Sequence, residues 1–358
     1  MLYLGLDVHS KWTTINGFDS VSGQTVFWER INNDRDSFEA VLGSLEGPLC
    51  GAMETGTSCW SIYRMLAPFF EKLLVVDPVE VWGRKVRRGA KTDARDAMTL
   101  AVKLSRGELC GLYVPDEQTQ DLRSLGRAKI QATQLVTKLN NEIWSLLKSW
   151  GFGIERSLLS KQGDKILAEA ASRLPEHTAR VLEMWTRMLH EAQAVVAELQ
   201  ERIEEAASND EVCQKLMTIP CVGEFTALVM RAEIGDIRRF ASARHLVSYC
   251  GLCPTLSMSA GKGKSGRLSK ACNHALRYVF ALRGKCGSRL GRDNPLSQTY
   301  WRTAIRHSPN DGGIAVARQL VRVVYAMMKN GTDWNPEHLH RQRQAAEPPP
   351  AAAAAGTA

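Results

Sequence analysis

At 358 residues the chain exceeds the usual size of one domain, so two or three domains, at least one with a sizeable core, are expected. Lys and Arg number 46 against 38 Asp and Glu; the net charge of +8 favours a polyanionic partner but also fits many soluble proteins. No run of about eighteen apolar residues occurs, which excludes an ordinary membrane helix. Nine scattered cysteines do not suit a disulfide framework. The chain enters directly into the strand-like Leu2 to Leu6 instead of a charged leader, so a cytoplasmic protein with no membrane partner is expected.

Residues 2 to 8, about 11 to 18 and 23 to 30 read as three short strands separated by polar turns. A helix near Arg35 to Leu45, a strand at Leu49 to Met53, a helix from Cys59 to Phe70 and a strand Leu73 to Val76 follow. The order β-β-β-α-β-α-β predicts an α/β layered domain over residues 1–112. Its last helix starts at Thr92, a candidate N-cap, and ends by Gly107.

From Glu117 to Ala207 apolar residues recur at helical spacing in two long segments. In the second, Leu182, Trp185, Leu189, Ala192, Val196, Leu199 and Ile203 alternate by three and four, the pattern of a coiled-coil seam. A long-helix region over 113–208 is expected, either as a hairpin within the subunit or as a dimer contact. Trp144 and Trp185 are expected in its core. Residues 209–340 form a third module of short helices broken by Gly223, Gly235 and Gly251, with a flexible Gly-, Lys- and Ser-rich stretch from Ser257 to Lys270. Helices return at Asn273 to Gly284 and Ile314 to Lys329. The Pro- and Ala-rich end, within residues 341–358, is expected to be disordered.

Chemistry-bearing residues stand out against this frame. Asp7 ends an otherwise apolar strand, where an ionised carboxylate without a partner costs several kcal/mol or more. Glu54 ends a second apolar strand, so two strands can bring carboxylates to one sheet edge, where ligand sites favour strand ends. Asp93 and Asp96, three apart at a helix start, share one face. Singly, each has a duller explanation, as a turn residue or a helix N-terminal acid. Together they form the oxygen-rich set that hard divalent cations need when a phosphodiester is cut, with Mg2+ the natural choice. Just before the pair, Arg84, Lys85, Arg87, Arg88 and Lys91 can hold a phosphate backbone beside them, giving affinity but no sequence information.

The stretches Tyr3-Leu4-Gly5-Leu6-Asp7-Val8-His9, Met53-Glu54-Thr55-Gly56 and Lys91-Thr92-Asp93-Ala94-Arg95-Asp96-Ala97 resemble the three acidic blocks of the DEDD insertion-sequence transposases. That family includes the Piv-type DNA invertases and the bridge-RNA-guided recombinases. The resemblance implies a ribonuclease-H-like fold of the type found in the Holliday-junction resolvase RuvC, with the four acids at Asp7, Glu54, Asp93 and Asp96.

In the third module, Leu216 to Gly223 followed by Glu233-Ile234-Gly235-Asp236 is similar to a helix-hairpin-helix, whose turn amides can hold a backbone phosphate. Downstream, a serine flanked by Lys262, Lys264, Arg267 and Lys270 can attack a phosphate, because cations stabilise the transition state; chemistry alone equally allows a phosphate-binding loop. The region resembles the family's C-terminal transposase domain, in which a Gly-Leu-x-Pro block precedes a serine-glycine-lysine block and a Gly-Arg-x-Ser-Lys block. The family's catalytic serine then falls on Ser259, with Ser257 as fallback and Ser265 or Ser269 behind it. Met258 and Ala260 depart from the family's usual Ser-Ser-Gly-Gly-Lys.

The resemblance implies a covalent phosphoserine linkage to double-stranded donor and target DNA, a composite site in a homo-oligomer (dimer or tetramer), and a structured bridge RNA that selects both DNAs by base pairing. Rival readings are a metal-only junction-resolving nuclease, an actin-like ATPase or sugar kinase, and a non-enzymatic nucleic-acid scaffold. Val8 to Trp12 makes a poor phosphate hairpin for the kinase reading. Cys250-x-x-Cys253 with Cys272-x-His274 has zinc-like elements, but a lone CxxC is weak evidence.

Overall fold

A computed structural model describes residues 1–83, 92–153, 161–259 and 262–336, with the backbone alone for 161–162, 255–259 and 262–265. The basic segment from Arg84 to Lys91 and the Pro/Ala tail lie outside the described residues. The chain divides into two compact units, Met1–Val114 and the residues from Pro115 onward.

The first unit is built on strands β1 (Leu2–Val8), β2 (Trp12–Asp19) and β3 (Gln24–Asn32), a meander as expected. Helix α1 (Arg35–Leu42) is capped by the Asp34 carboxylate, which accepts from the Ser37 amide at 2.8 Å. Strand β4 (Leu49–Glu54), helix α2 (Cys59–Leu66) and strand β5 (Lys72–Val76) complete a five-stranded sheet in the order β3-β2-β1-β4-β5. The meander strands pair antiparallel, while β1, β4 and β5 run parallel. This mixed sheet with helices on both faces is consistent with a ribonuclease-H-like fold. Short α3 (Pro78–Trp82) and α4 (Asp93–Ser105) follow.

Side-chain alternation along the strands divides the core in two. Leu4, Leu6 and Met53 pack with Phe38 and Leu42 of α1 and with Cys59, Ile62 and Leu66 of α2. On the opposite face Cys50, Ala52 and Val76 meet Val81 of α3 and Leu100 and Leu104 of α4. Gly5 makes this second layer close: a Cβ built there would stand 1.8 Å from the Ala97 carbonyl oxygen. Any side chain at Gly5 would push α4 off β1.

The second unit opens with α5 (Glu117–Ser149), α6 (Lys161–Arg173) and α7 (Glu176–Ser208). Three helices therefore stand where two long segments were expected. Leu182, Leu189 and Ala192 of the seam pack against Leu139, Ile143 and Leu147 of α5 and Leu167 and Ala170 of α6, so the pattern is satisfied within the chain. Trp185 packs at the edge of this cluster, whereas Trp144 is exposed, with Lys148 over its ring at 5.2 Å. The core expected at Trp144 is corrected: it sits on the outer face of α5.

Next come α8 (Glu211–Met217), α9 (Glu224–Ile234) and α10 (Ala243–Tyr249). Strands β6 (Pro254–Ser259) and β7 (Lys262–Leu268) form an antiparallel ribbon, and α11 (His274–Lys285), α12 (Pro295–Arg306) and α13 (Pro309–Asn330) follow. The flexible stretch expected at Ser257 to Lys270 is thus largely a β-hairpin. Its composition reads as loop, and only pairing of its two halves makes it a strand pair. Ala227, Leu228, Phe280, Val321 and Val324 centre the core of this unit. No helix among the described residues is long and apolar enough to cross a membrane, and the nine cysteines are free thiols.

Candidate acidic site and serine hairpin

Sheet register positions the acids. Leu6 stands opposite Met53, so one step further along the parallel pair Asp7 and Glu54 leave the sheet side by side. Asp7 is also opposite Thr14, and Thr14 opposite Arg30, so one row across the sheet carries Arg30, Thr14, Asp7 and Glu54. That row lies on the Gly5 face, and the close approach of α4 allowed by Gly5 brings its first turn over it. Asp93 and Asp96 are in that turn.

The Asp7 and Asp93 carboxylates and the His9 imidazole each offer an atom within 4.8 Å of the others, and no other such metal-ligating group occurs among the described residues. His9 Nε2 lies 3.3 Å from Asp7 Oδ2 and 3.4 Å from Asp93 Oδ2, and Arg30 reaches Asp93 Oδ2 at 3.0 Å. Asp7 is 16% exposed, Asp93 27% and Asp96 6%. Glu54 accepts a hydrogen bond from Trp82 Nε1, delivered by α3. A cleft of about 340 Å3 is lined by Asp7, His9, Ser10, Glu54, Thr57 and Ser58, among others. The structure thus gathers Asp7 and Asp93, sets Glu54 beside Asp7 at the cleft, and buries Asp96 in the same helical turn as Asp93.

The donor chemistry fits a divalent cation: carboxylate oxygens at a cleft, with two strand ends and a helix start to hold them. Thr92 occupies the N-cap position of α4, yet its side chain makes no capping hydrogen bond, contrary to expectation.

Sequence reasoning passed over three partners. His9 was part of an acidic block without a role of its own, and its ring turns back because the β1–β2 turn is tight: its amide donates to the Trp12 carbonyl at 2.9 Å. Arg30 is detectable only through the strand register. Trp82 had a usable signal, because Asp77 followed by Pro78 marks a helix start: the Asp77 carboxylate accepts from the Val79 amide at 2.8 Å.

In the second unit Ser259 ends β6 directly opposite Lys262, and Ser257 stands opposite Lys264. The side chains of Ser257, Ser259, Lys262, Lys264 and Ser265 lie outside the described atoms. Arg267 and Lys270 are exposed, and the Ser269 hydroxyl donates to the Ala271 carbonyl at 3.2 Å. The turn between α8 and α9 carries Cys221 at φ +68°, and the Cys221 carbonyl accepts from Arg283 at 3.2 Å.

A buried charge centre in this unit carries no predicted role. Glu233, 1% exposed, accepts from Arg127 at 2.5 and 2.8 Å and from Asn273 Nδ2 at 2.7 Å, with Arg123 at 3.7 Å. The Glu233 hydrogen bond raises the Arg127 pKa, while burial lowers that of Arg123. One carboxylate is here met by two guanidinium groups and an amide.

The fold is consistent with a ribonuclease-H-like unit, and the acidic cluster is compatible with a divalent metal. Residues 4–151 match the DEDD domain of IS110 transposases, described as Transposase, and residues 213–301 match the Transposase IS116/IS110/IS902 family. The "Transposase for insertion sequence element IS1111A" of Coxiella burnetii is 26% identical over 91% of this chain and 89% of its own. The "Transposase for insertion sequence element IS1328" of Yersinia enterocolitica is 25% identical over 80% and 85%, and the "Probable family 20 transposase" of Pseudomonas aeruginosa 23% over 76% and 79%. The chain belongs to the DEDD-type insertion-sequence transposases of the IS110 group. Membership implies DNA cleavage and strand transfer.

Proposed function

We propose that the protein is the transposase of an insertion sequence that cuts and rejoins double-stranded DNA through a covalent phosphoserine intermediate, with Ser259 as nucleophile. The observation that carries the metal half of this reading is the convergence of Asp7 and Asp93, with Asp7 and Glu54 lining one cleft; the serine half follows the motif resemblance that falls on Ser259. Asp7, Glu54, Asp93 and Asp96 would hold a divalent cation, here Mg2+, which would supply neutralisation of the charge that develops on the attacked phosphodiester.

The chain's own residues supply the rest. The Ser259 oxygen forms a bond to phosphorus, a base takes its proton, and one bridging P–O bond breaks, releasing that sugar as a hydroxyl after it gains a proton. Lys262, Lys264, Arg267 and Lys270 offset phosphate charge along the hairpin, and Arg84, Lys85, Arg87 and Arg88 grip the backbone near the acids. The α8–α9 turn acts as a helix-hairpin-helix grip on a further phosphate. A bridge RNA selects donor and target DNA. The protein works in the cytoplasm as a dimer or tetramer, for which Val181, Met184, Met188 and Val195, exposed along α7, offer an apolar surface.

The test is a denaturing gel with a nicked suicide DNA, Mg2+ and RNA transcribed from the DNA flanking the gene. A protein–DNA adduct formed by the wild type and lost in both Ser259→Ala and Asp7→Ala is the expected result. Cleavage without an adduct, abolished by Asp7→Ala and unaffected by Ser259→Ala, would leave a metal-only nuclease in its place.

A further inference from the structure

We infer that His9 is a protein ligand of the metal held at the acidic site, which makes the first coordination sphere mixed nitrogen and oxygen and ranks Mn2+ above Mg2+. This rests on the proposed metal role of Asp7 and Asp93.

Three observations carry it. First, separation: His9 Nε2 stands 3.3 and 3.4 Å from one oxygen of each carboxylate, and donors sharing one ion with bonds of about 2.1 Å stand about 3 Å apart. Second, His9 Nε2 is shielded from solvent yet has no hydrogen bond of normal geometry, only these two approaches. A ring nitrogen serving simply as a structural donor would be expected to align on one acceptor.

Third, the ring is held before any ligand arrives. The His9 amide donates to the Trp12 carbonyl at 2.9 Å, and the His9 carbonyl accepts from Asn33 Nδ2 at 2.7 Å. Asn33 is itself fixed by the Thr13 hydroxyl at 2.6 Å, and the Trp12 ring stands 5.6 Å from the imidazole centroid. Such positioning lowers the ordering cost of ligation.

Arg30 is the cation this arrangement must displace. It reaches Asp93 at 3.0 Å but is more than half exposed, so it can swing towards solvent or a phosphate when the ion enters.

The selectivity follows from donor type. Mg2+ holds to an oxygen shell and gives up its waters reluctantly, more strictly than Mn2+ does, so one nitrogen in three protein donors shifts the balance between these two ions towards Mn2+. Glu54 and Asp96 remain oxygen donors for the same or a second ion.

The experiment uses the metal-stripped full-length protein titrated with Mn2+ alone, free Mn2+ being read by electron paramagnetic resonance and the bound ion by pulsed measurement of nitrogen coupling. Wild type is expected to show imidazole 14N coupling, and His9→Gln to lose it with about a tenfold weaker Mn2+ affinity and a smaller preference over competing Mg2+. His9→Asp, which restores an oxygen donor, is expected to bind Mn2+ without the coupling, so a folding defect in the glutamine variant would not obscure the result. Mn2+ bound by wild type with no nitrogen coupling overturns the role of His9 and leaves the carboxylate site standing. Mn2+ binding that is absent, or unchanged by Asp7→Asn, overturns the metal reading and this inference together.

Discussion

Each unit holds a cluster built around carboxylates, one sealed from solvent and the other open to a cleft. Glu233 is sealed from solvent and fully matched, with Arg127, Arg123 and Asn273 around one carboxylate. The first unit instead gathers Asp7, Asp93, Glu54 and Asp96 on one layer, with the Arg30 guanidinium, the His9 ring and the Trp82 indole among their neighbours. A matched buried ion pair holds a fold in one arrangement, and breaking it is costly. Carboxylates that line a cleft can be reached by an arriving cation, whereas a sealed and matched carboxylate cannot, so access is what separates the two centres.

Substitutions can break that contrast. The largest expected effect is on activity. Asp7→Asn should remove about 4 kcal/mol of transition-state stabilisation, roughly a thousandfold in DNA cleavage rate. The same change relieves like-charge repulsion, so the melting temperature of the metal-free protein should hold or rise. A clear fall in melting temperature would mean that the acidic centre is structural after all.

Glu233→Ala should act the other way, costing about 3–5 kcal/mol in denaturant unfolding of the second unit because it leaves guanidinium groups without their counter-charge. Glu233→Gln, which keeps acceptor capacity, should cost less. Equal losses from the two would place the whole effect in the lost negative charge, and a glutamine variant as stable as wild type would place it in packing.

Gly5→Ala tests the layer beneath the acids. A methyl group meeting the Ala97 carbonyl should cost about 1–3 kcal/mol. It should also weaken Mn2+ binding although no ligand is changed, because α4 carries Asp93. A variant that keeps full metal affinity would show that the helix start tolerates displacement.

The smallest effect concerns Asp116, the N-cap of α5, whose pKa the Thr119 amide lowers. A group with a depressed folded pKa stabilises above its unfolded pKa, and that stability is lost as pH falls through the folded value. Asp116→Ala should therefore cost about 1 kcal/mol at neutral pH. The difference from wild type should fade as the pH drops below about 4, which a pH series of thermal melts would reveal.

Much of the first unit was legible because its signals are local. Apolar runs marked β1, β4 and β5, and the acids at the ends of two of them, with the pair at the start of α4, pointed to one edge. The second unit was less legible where structure depends on partners. The β6–β7 ribbon has the composition of a loop, and α12 was not anticipated even though Asn294 caps it, accepting from the Leu296 amide at 2.9 Å, with Pro295 at its first position. The seam of α7 was visible, but its spacing could not reveal whether the mate lay in the same chain.

The sequence by itself determined which residue types stand at strand ends and helix starts, because the periods of 2.0 and 3.6 and the capping residues are properties of short segments. It therefore set out the four acids and the serine block on which the family resemblance rests. Only the tertiary structure decided that Arg30 shares a row with Asp7, that His9 turns its ring between two carboxylates, and that Glu233 is neutralised from a helix more than a hundred positions away. Strand register, helix approach over Gly5 and long-range ion pairing are relations between segments, and no segment carries them alone.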